Sequence, residues 1–301
     1  MSILVVGSVA LDSVETPFGK IKNALGGSAT YFSISASYFD EVNLVAVVGK
    51  DFTKKYFKIF ENRKINLKGL QIVNGKTFRW EGKYNYDLNK ANTICTALNA
   101  FENFQPELPE EYKKPEFLFL ANIDPELQLR VLAQVDTKPK LIALDTMNFW
   151  IENKKEQLIK AIKKVDMVLI NESEIRQLTE ENNLVKAVKK IMKWCPAVII
   201  KRGEYGSLYF SQKKVFSCPA VPLENVTDPT GAGDSFAGGF IGYLSKVGKT
   251  DQKEVCNGIL FGTALASFCV EDFSVHKLLN LNYKRIQNRV DKIKALAAIR
   301  S

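Results

Sequence analysis

The chain has 301 residues, 46% of them hydrophobic and 25% charged, enough to bury a substantial core in one large or two smaller units. Its formal net charge of +9 is spread over dispersed lysines, in pairs such as Lys54-Lys55, Lys113-Lys114 and Lys189-Lys190; without a long basic run, the surface reading displaces a nucleic-acid partner. No apolar run is as long as a membrane span, Met1 runs straight into the apolar Ile3-Leu4-Val5-Val6, and five scattered cysteines with the single His276 build no usual zinc site, so the expectation is a cytoplasmic protein that engages neither membrane nor nucleic acid.

In chain order, apolar runs predict strands at 2–7, 43–48, 116–120, 140–144, 166–170 and 197–201. Helix-like stretches lie between several of them, near 28–39, 53–62, 125–134, 153–163 and 183–194. Continuous apolar strands separated by helices predict an α/β fold, a doubly wound and mainly parallel sheet with helices on both faces. Gly206–Phe210 and Val215–Cys218 read as a hairpin, and helices follow at about 233–245, 252–268 and 275–297. Residues 9–22 and about 69–104 lack helical period and carry turn formers and aromatic patches, as in Thr77-Phe78-Arg79-Trp80-Glu81-Gly82-Lys83-Tyr84. They predict a small β-sheet inserted as a lid into a single domain over 1–301.

The densest chemical signal is Asp228-Pro229-Thr230-Gly231-Ala232-Gly233-Asp234, followed by a small-residue, apolar run that reads as a buried helix. Pro229 biases Asp228 away from helix, and the glycines permit close backbone approach to a ligand. The N–H groups of Gly231, Ala232 and Gly233, at a helix start, form an anion hole. A carboxylate such as Asp234 suits that place if it accepts the proton of a hydroxyl that attacks phosphorus. A capped helix is the competing reading of the four residues GAGD taken alone. Other phosphate-binding patterns are absent: Gly49-Lys50 precedes Asp51 and lacks the upstream glycine of a P-loop, and no GxGxxG follows strand 2–7. No nucleophile elbow occurs, and His276 reads as a surface or packing residue.

The full run DPTGAGDSFAGGF closely resembles the C-terminal signature of the ribokinase-like, or PfkB, carbohydrate kinase family, and the resemblance extends over nearly the whole chain. Gly7-Ser8-Val9-Ala10-Leu11-Asp12 resembles the family's opening strand, whose aspartate holds sugar hydroxyls; Asp12 alone could equally cap a turn. Gly26-Gly27-Ser28-Ala29-Thr30 resembles the diglycine turn that closes on substrate. Many members carry asparagine four positions after the second glycine; Tyr31 stands there, to stack on a ring or fill the core. Asp145-Thr146-Met147-Asn148 is similar to a segment near the phosphate path, with Asn148 on substrate. Asn171-Glu172-Ser173-Glu174 fits the N-x-x-E motif, which implies that Glu174 serves Mg2+ through water, although a first-turn acid is also an ordinary helix stabiliser. Lys201-Arg202-Gly203-Glu204-Tyr205-Gly206 looks like the nucleotide-binding turn, with a plain hairpin connection as the alternative. Asn257 falls in a stretch that resembles the adenine slot, and Thr230 lies beside the phosphates.

The resemblance implies an ATP-dependent, Mg2+-assisted kinase of an alcohol on a sugar or cyclitol, with Asp234 as general base. A nucleoside kinase is the near alternative, for which Phe78, Trp80, Tyr84, Tyr86 and Tyr31 would stack on a base. A sensor that kept the fold without the chemistry is a third reading. An exposed lid edge further implies a homodimer through the lid.

Overall fold

The computed structural model describes residues 2–298; the ends of the expected 1–301 unit, residues 1 and 299–301, lie outside the described residues. The first strand, β1 (Ser2–Val6), is the centre from which the fold grows to both sides. The chain leaves it for an antiparallel pair, β2 (Ala10–Thr16) and β3 (Gly19–Gly26), and then enters α1 (Ser28–Ala36), whose nine residues are all buried. β4 (Glu41–Gly49), α2 (Lys54–Glu61) and β5 (Ile65–Val73) extend the large sheet on one side. Two more strands, β6 (Phe78–Tyr84) and β7 (Ala91–Ala97), complete the small sheet in the order β3-β2-β6-β7.

Alternation then takes over: β8 (Phe117–Leu120), α3 (Pro125–Leu132), β9 (Leu141–Asp145), α4 (Asn148–Asn153), α5 (Lys155–Ile162), β10 (Met167–Asn171), α6 (Glu172–Thr179), α7 (Leu184–Ile191) and β11 (Ala197–Lys201). A hairpin, β12 (Ser207–Ser211) and β13 (Val215–Cys218), ends the sheet. α8 (Ala232–Val247), α9 (Gln252–Cys269), α10 (His276–Leu279) and α11 (Tyr283–Ala297) follow. The nine-stranded order is β13-β12-β11-β10-β9-β8-β1-β4-β5, parallel from β11 through β5 and antiparallel at β12 and β13.

Period-two alternation divides the strand side chains between two cores. Ile3, Val5, Phe117, Phe119 and Leu169 pack with α1, α8, α9 and α11, whereas Leu4, Val6, Leu118, Leu120 and Val168 pack with α3, α5, α6 and α7. Because both faces are covered, strands such as Ile3–Val6 read as unbroken apolar runs.

Two expectations differ from the structure. Residues 69–73 belong to β5, paired parallel with β4 in the large sheet, not to the lid; as an edge strand, Ile65–Val73 is only partly buried and carries polar residues. The expected helix 275–297 is two, broken at residues 280–282, where Asn282 caps α11 by accepting from the Arg285 N–H. Helices α4 and α6 begin directly after Met147 and Asn171, and α6 holds Glu174 in its first turn as expected.

Candidate active site

The carboxyl ends of β1, β8, β9, β10 and β11 open on one edge of the sheet, and β1 and β8, which run on to opposite sides, make that edge a topological switch point. The small sheet leaves the large one just after Ser8 and returns at Gly26-Gly27, so it is hinged on this same edge. Ser8 and Ser28 stitch departure to return: the Ser28 N–H donates to Ser8 Oγ at 3.0 Å, and the Ala29 N–H to the Ser8 carbonyl at 3.0 Å.

Asp228 folds the loop before α8. It is buried, its Oδ1 accepting from the Thr230 N–H at 2.9 Å and its Oδ2 from the Ser274 N–H at 3.4 Å. Gly231 then takes a left-handed conformation, φ 77°, as the N-cap of α8. Of the three expected anion donors, Ala232 is committed elsewhere, its N–H closing a turn on the Pro229 carbonyl at 3.2 Å. The N–H groups of Gly231 and Gly233 have no acceptor among the described residues and remain free for a ligand. Asp234 stands at the third position of α8, and burial, reinforced by Asp145 and opposed by Lys201, pushes its carboxyl up to about 8.

Asp12 enters from the small sheet. Its Oδ2 accepts from the Gly27 N–H at 3.2 Å, while Oδ1 is buried with no partner in the protein. Burial pushes this carboxyl up to about 7. A buried acceptor without a donor suits a ligand hydroxyl. Gly26 is needed because any Cβ there would overlap Asp12 Oδ2. Trp80 is the register partner of Asp12 on β6, so both side chains stand on one face; the indole lies over Gly82, and its Nε1–H donates to Thr93 Oγ1 at 3.2 Å.

A third group gathers at the ends of β9, β10 and β11. The Lys201 ammonium donates to Asp145 Oδ2 at 2.6 Å with side chains only 18% and 5% exposed. Lys201 is thus engaged in an ion pair within the chain, at the start of the turn expected to bind nucleotide. Nζ also lies 3.0 Å from where a Cβ of Gly233 would stand, against the first turn of α8. Asn171 and Glu174 form a reciprocal capping box: Asn171 Oδ1 accepts from the Glu174 N–H at 2.8 Å, and Glu174 Oε2 from the Asn171 N–H at 2.9 Å. The helix-capping reading of Glu174 is seen directly; the cap uses one of its two carboxyl oxygens, and the Lys201 and Asp145 charges bear on the group. Burial pushes the Glu174 carboxyl up to about 7.

The small sheet is closed on the large one. The Tyr84 and Thr230 hydroxyls are 3.2 Å apart, and Asn89, in the β6–β7 loop, occupies the space that a Cβ on Gly203 would need. Gly206 is held differently, its missing Cβ making way for the Cys218 carbonyl of β13, as a plain hairpin connection requires. Asn257 lies half-buried on α9, donating to Glu254 Oε2 at 3.2 Å, and Asn148 is exposed at the start of α4. Tyr31 is 2% exposed, with its ring against Gly231. His276 is exposed on the surface.

Sequence reasoning left Asp145 without a partner, and passed over Tyr84 as a latch and Gln128. The buried Gln128 amide donates to the carbonyls of Ala121 and Asp145, each at 3.0 Å, and ties two strand ends together. A DPTGAGD-type motif signals a local loop; these partners come from contacts across 17 to 146 residues, which no spacing reveals.

The pfkB family carbohydrate kinase profile matches residues 2–279. A cytidine kinase of Thermococcus kodakarensis is 30% identical over 254 residues, covering 82% of this chain and 89% of that protein. The crystal structure of Methanocaldococcus jannaschii nucleoside kinase superposes with a TM-score of 0.79 at 24% identity, covering 97% of this chain and 98% of that one. A Burkholderia thailandensis nucleoside kinase in complex with inosine superposes at 0.77, with 17% identity and coverage of 96% and 97%. The last two likenesses are of fold.

Proposed function

From the membership of this chain in the pfkB family of carbohydrate kinases, ATP-dependent enzymes that phosphorylate a sugar or nucleoside hydroxyl, we propose that it is a nucleoside kinase acting on a ribose hydroxyl. The observation that carries the choice is the pairing of Asp12 with Trp80 on one face of the small sheet. Asp12 Oδ1 accepts from a ribose hydroxyl, and the indole on the same face of the small sheet, over Gly82, offers an aromatic surface to the base. A plain sugar would leave that face unused. The relatives named for cytidine and for nucleosides support the same choice. No helix among the described residues is long and apolar enough to cross a membrane, and five unpaired cysteines fit a reducing cytoplasm.

In this reading Asp234 accepts the proton of the attacking hydroxyl as its oxygen bonds to the γ-phosphorus and the bond to the leaving ADP oxygen breaks. The N–H groups of Gly231 and Gly233 hold the negative oxygens of the transferred group, and such donors are worth about 3–4 kcal/mol each. The resemblance gives Asn171, Gly203, Thr230 and Asn257 to the nucleotide in this reading. Among the described residues no three His, Cys, Asp or Glu side chains converge into a metal cage. The all-oxygen set nonetheless suits a cation that keeps its waters, with Glu174 Oε1 accepting from one of them. Bound Mg2+ supplies neutralisation of phosphate charge. Tyr84 and Asn89 keep the small sheet shut and water out. Strand β7, exposed along an unpaired edge with Ile94 59% exposed, supports pairing of two copies through the lid.

The test is ADP release with Mg-ATP across cytidine, other nucleosides, ribose, hexoses and cyclitols, with tryptophan fluorescence followed in parallel. Turnover of nucleosides at least tenfold above ribose, with quenching lost in Trp80→Leu, is the expected outcome. A sugar or cyclitol preferred over every nucleoside would overturn the choice.

A further inference from the structure

The motif reading gave Lys201 to the nucleotide, but its ammonium is already clamped at 2.6 Å to Asp145, a residue only 3% exposed. It lies against the first turn of α8, at 3.0 Å from the Cβ position of Gly233, so its charge is delivered next to Asp234. The groups facing Asp234 come from four elements: Asp12 on the small sheet, Asp145 at the end of β9, Lys201 at the end of β11 and Cys269 on α9. Glu174 stands beside the same ammonium. Among these Lys201 alone is cationic. Were it absent, an ionised Asp234 would have no cationic side chain among these groups to offset burial and the like charges of Asp145 and Asp12.

We propose that Lys201 is a positioning residue for phosphoryl transfer: locked by Asp145, its ammonium is the fixed counter-charge that lets Asp234 stand as a carboxylate beside the anion hole. This rests on Asp234 as the general base. A lysine reaching for phosphate needs a free, rotatable head; this one is held by a carboxylate and walled by a helix. Burial pulls the ammonium toward neutrality, and Asp145 and Glu174 outweigh it, so the charge is retained.

The experiment compares Lys201→Met and Lys201→Arg with the native enzyme, reading kcat, KM for ATP and the pH midpoint of kcat, with ADP binding as the check of folding. In Lys201→Met kcat should fall at least 30-fold, KM for ATP should change less than threefold, and the midpoint should move up by at least one pH unit. Lys201→Arg, which keeps the charge, should hold the midpoint within about 0.3 unit; if Lys201→Met fails to bind ADP, Lys201→Gln takes its place. A tenfold rise in KM for ATP with kcat kept would assign Lys201 to the nucleotide and overturn the proposal. So would a lost kcat with an unmoved midpoint, or equal midpoint shifts in the Met and Arg variants. Asp234→Asn, assayed alongside, separates the two readings: native turnover there would remove the base itself, whatever Lys201 does.

Discussion

The ring of Tyr31 lies flat against the backbone of Gly231, leaving no room for a Cβ between them. Where the resemblance expects an asparagine, this chain thus packs a tyrosine ring against the start of α8. Gly231→Ala meets both the ring and a φ of 77°, and should lower kcat by about 100-fold or more, the scale of one lost oxyanion donor. Tyr31→Phe keeps the ring and should stay within about twofold, whereas Tyr31→Ala should lose about tenfold in kcat with the acceptor KM nearly unchanged. Steady-state ADP release measures all three.

Asp234→Asn should cut kcat by about 10³-fold or more while ATP affinity stays within a few-fold. Isothermal titration and single-turnover assays read the two quantities separately. Comparable losses in both would mean that Asp234 binds rather than abstracts.

Activity should depend on pH in a stated direction. Asp234 must be ionised to accept a proton, and burial holds its carboxyl up at about 8, so kcat should climb through pH 7 and level off above about 8. An acidic optimum would contradict the assignment.

Stability should run the other way. Asp12 at about 7, Glu174 at about 7 and Asp234 at about 8 all lie above their ordinary values. Between about pH 4 and pH 8 the folded chain therefore keeps protons that the unfolded chain has released, and this contribution is lost as pH rises through that window. Asp12→Asn or Asp234→Asn should raise Tm at pH 8 by about 2–4 °C and have little effect at pH 4.5, as seen by calorimetry without ligands.

Tyr84→Phe removes the hydroxyl contact with Thr230. A neutral hydrogen bond of about 0.5–1.5 kcal/mol predicts a rise of about 2–10-fold in acceptor KM, together with more ATP hydrolysed when no acceptor is present. Unchanged hydrolysis and unchanged KM would show that the latch does not govern closure.

The strands buried on both faces were legible because their apolar runs are continuous, as in Ile3–Val6 and Val198–Ile200. β5 was not, since a half-exposed edge strand carries the mixed composition of a lid strand. At the site, DPTGAGD and N-x-x-E announce themselves because a tight turn and a helix cap are local. The pairings Lys201–Asp145, Tyr31–Gly231 and Tyr84–Thr230 join distant segments, and only tertiary packing reveals them. Lys201 illustrates the difference: its position in a nucleotide-type turn was readable, its commitment to Asp145 was not.

Asp12, Trp80 and Tyr84 all belong to the small sheet, whereas Gly231, Gly233, Asp234, Lys201 and Glu174 belong to the large sheet and its helices. On the function proposed above, the choice of acceptor and the phosphoryl chemistry are written on separate parts of the chain. Because the small sheet enters the chain at only two places, residues 10–26 and 78–97, that reading makes it an exchangeable cassette. Selection, or a designer trading these two segments between relatives, could change what is phosphorylated while inheriting the catalytic apparatus intact.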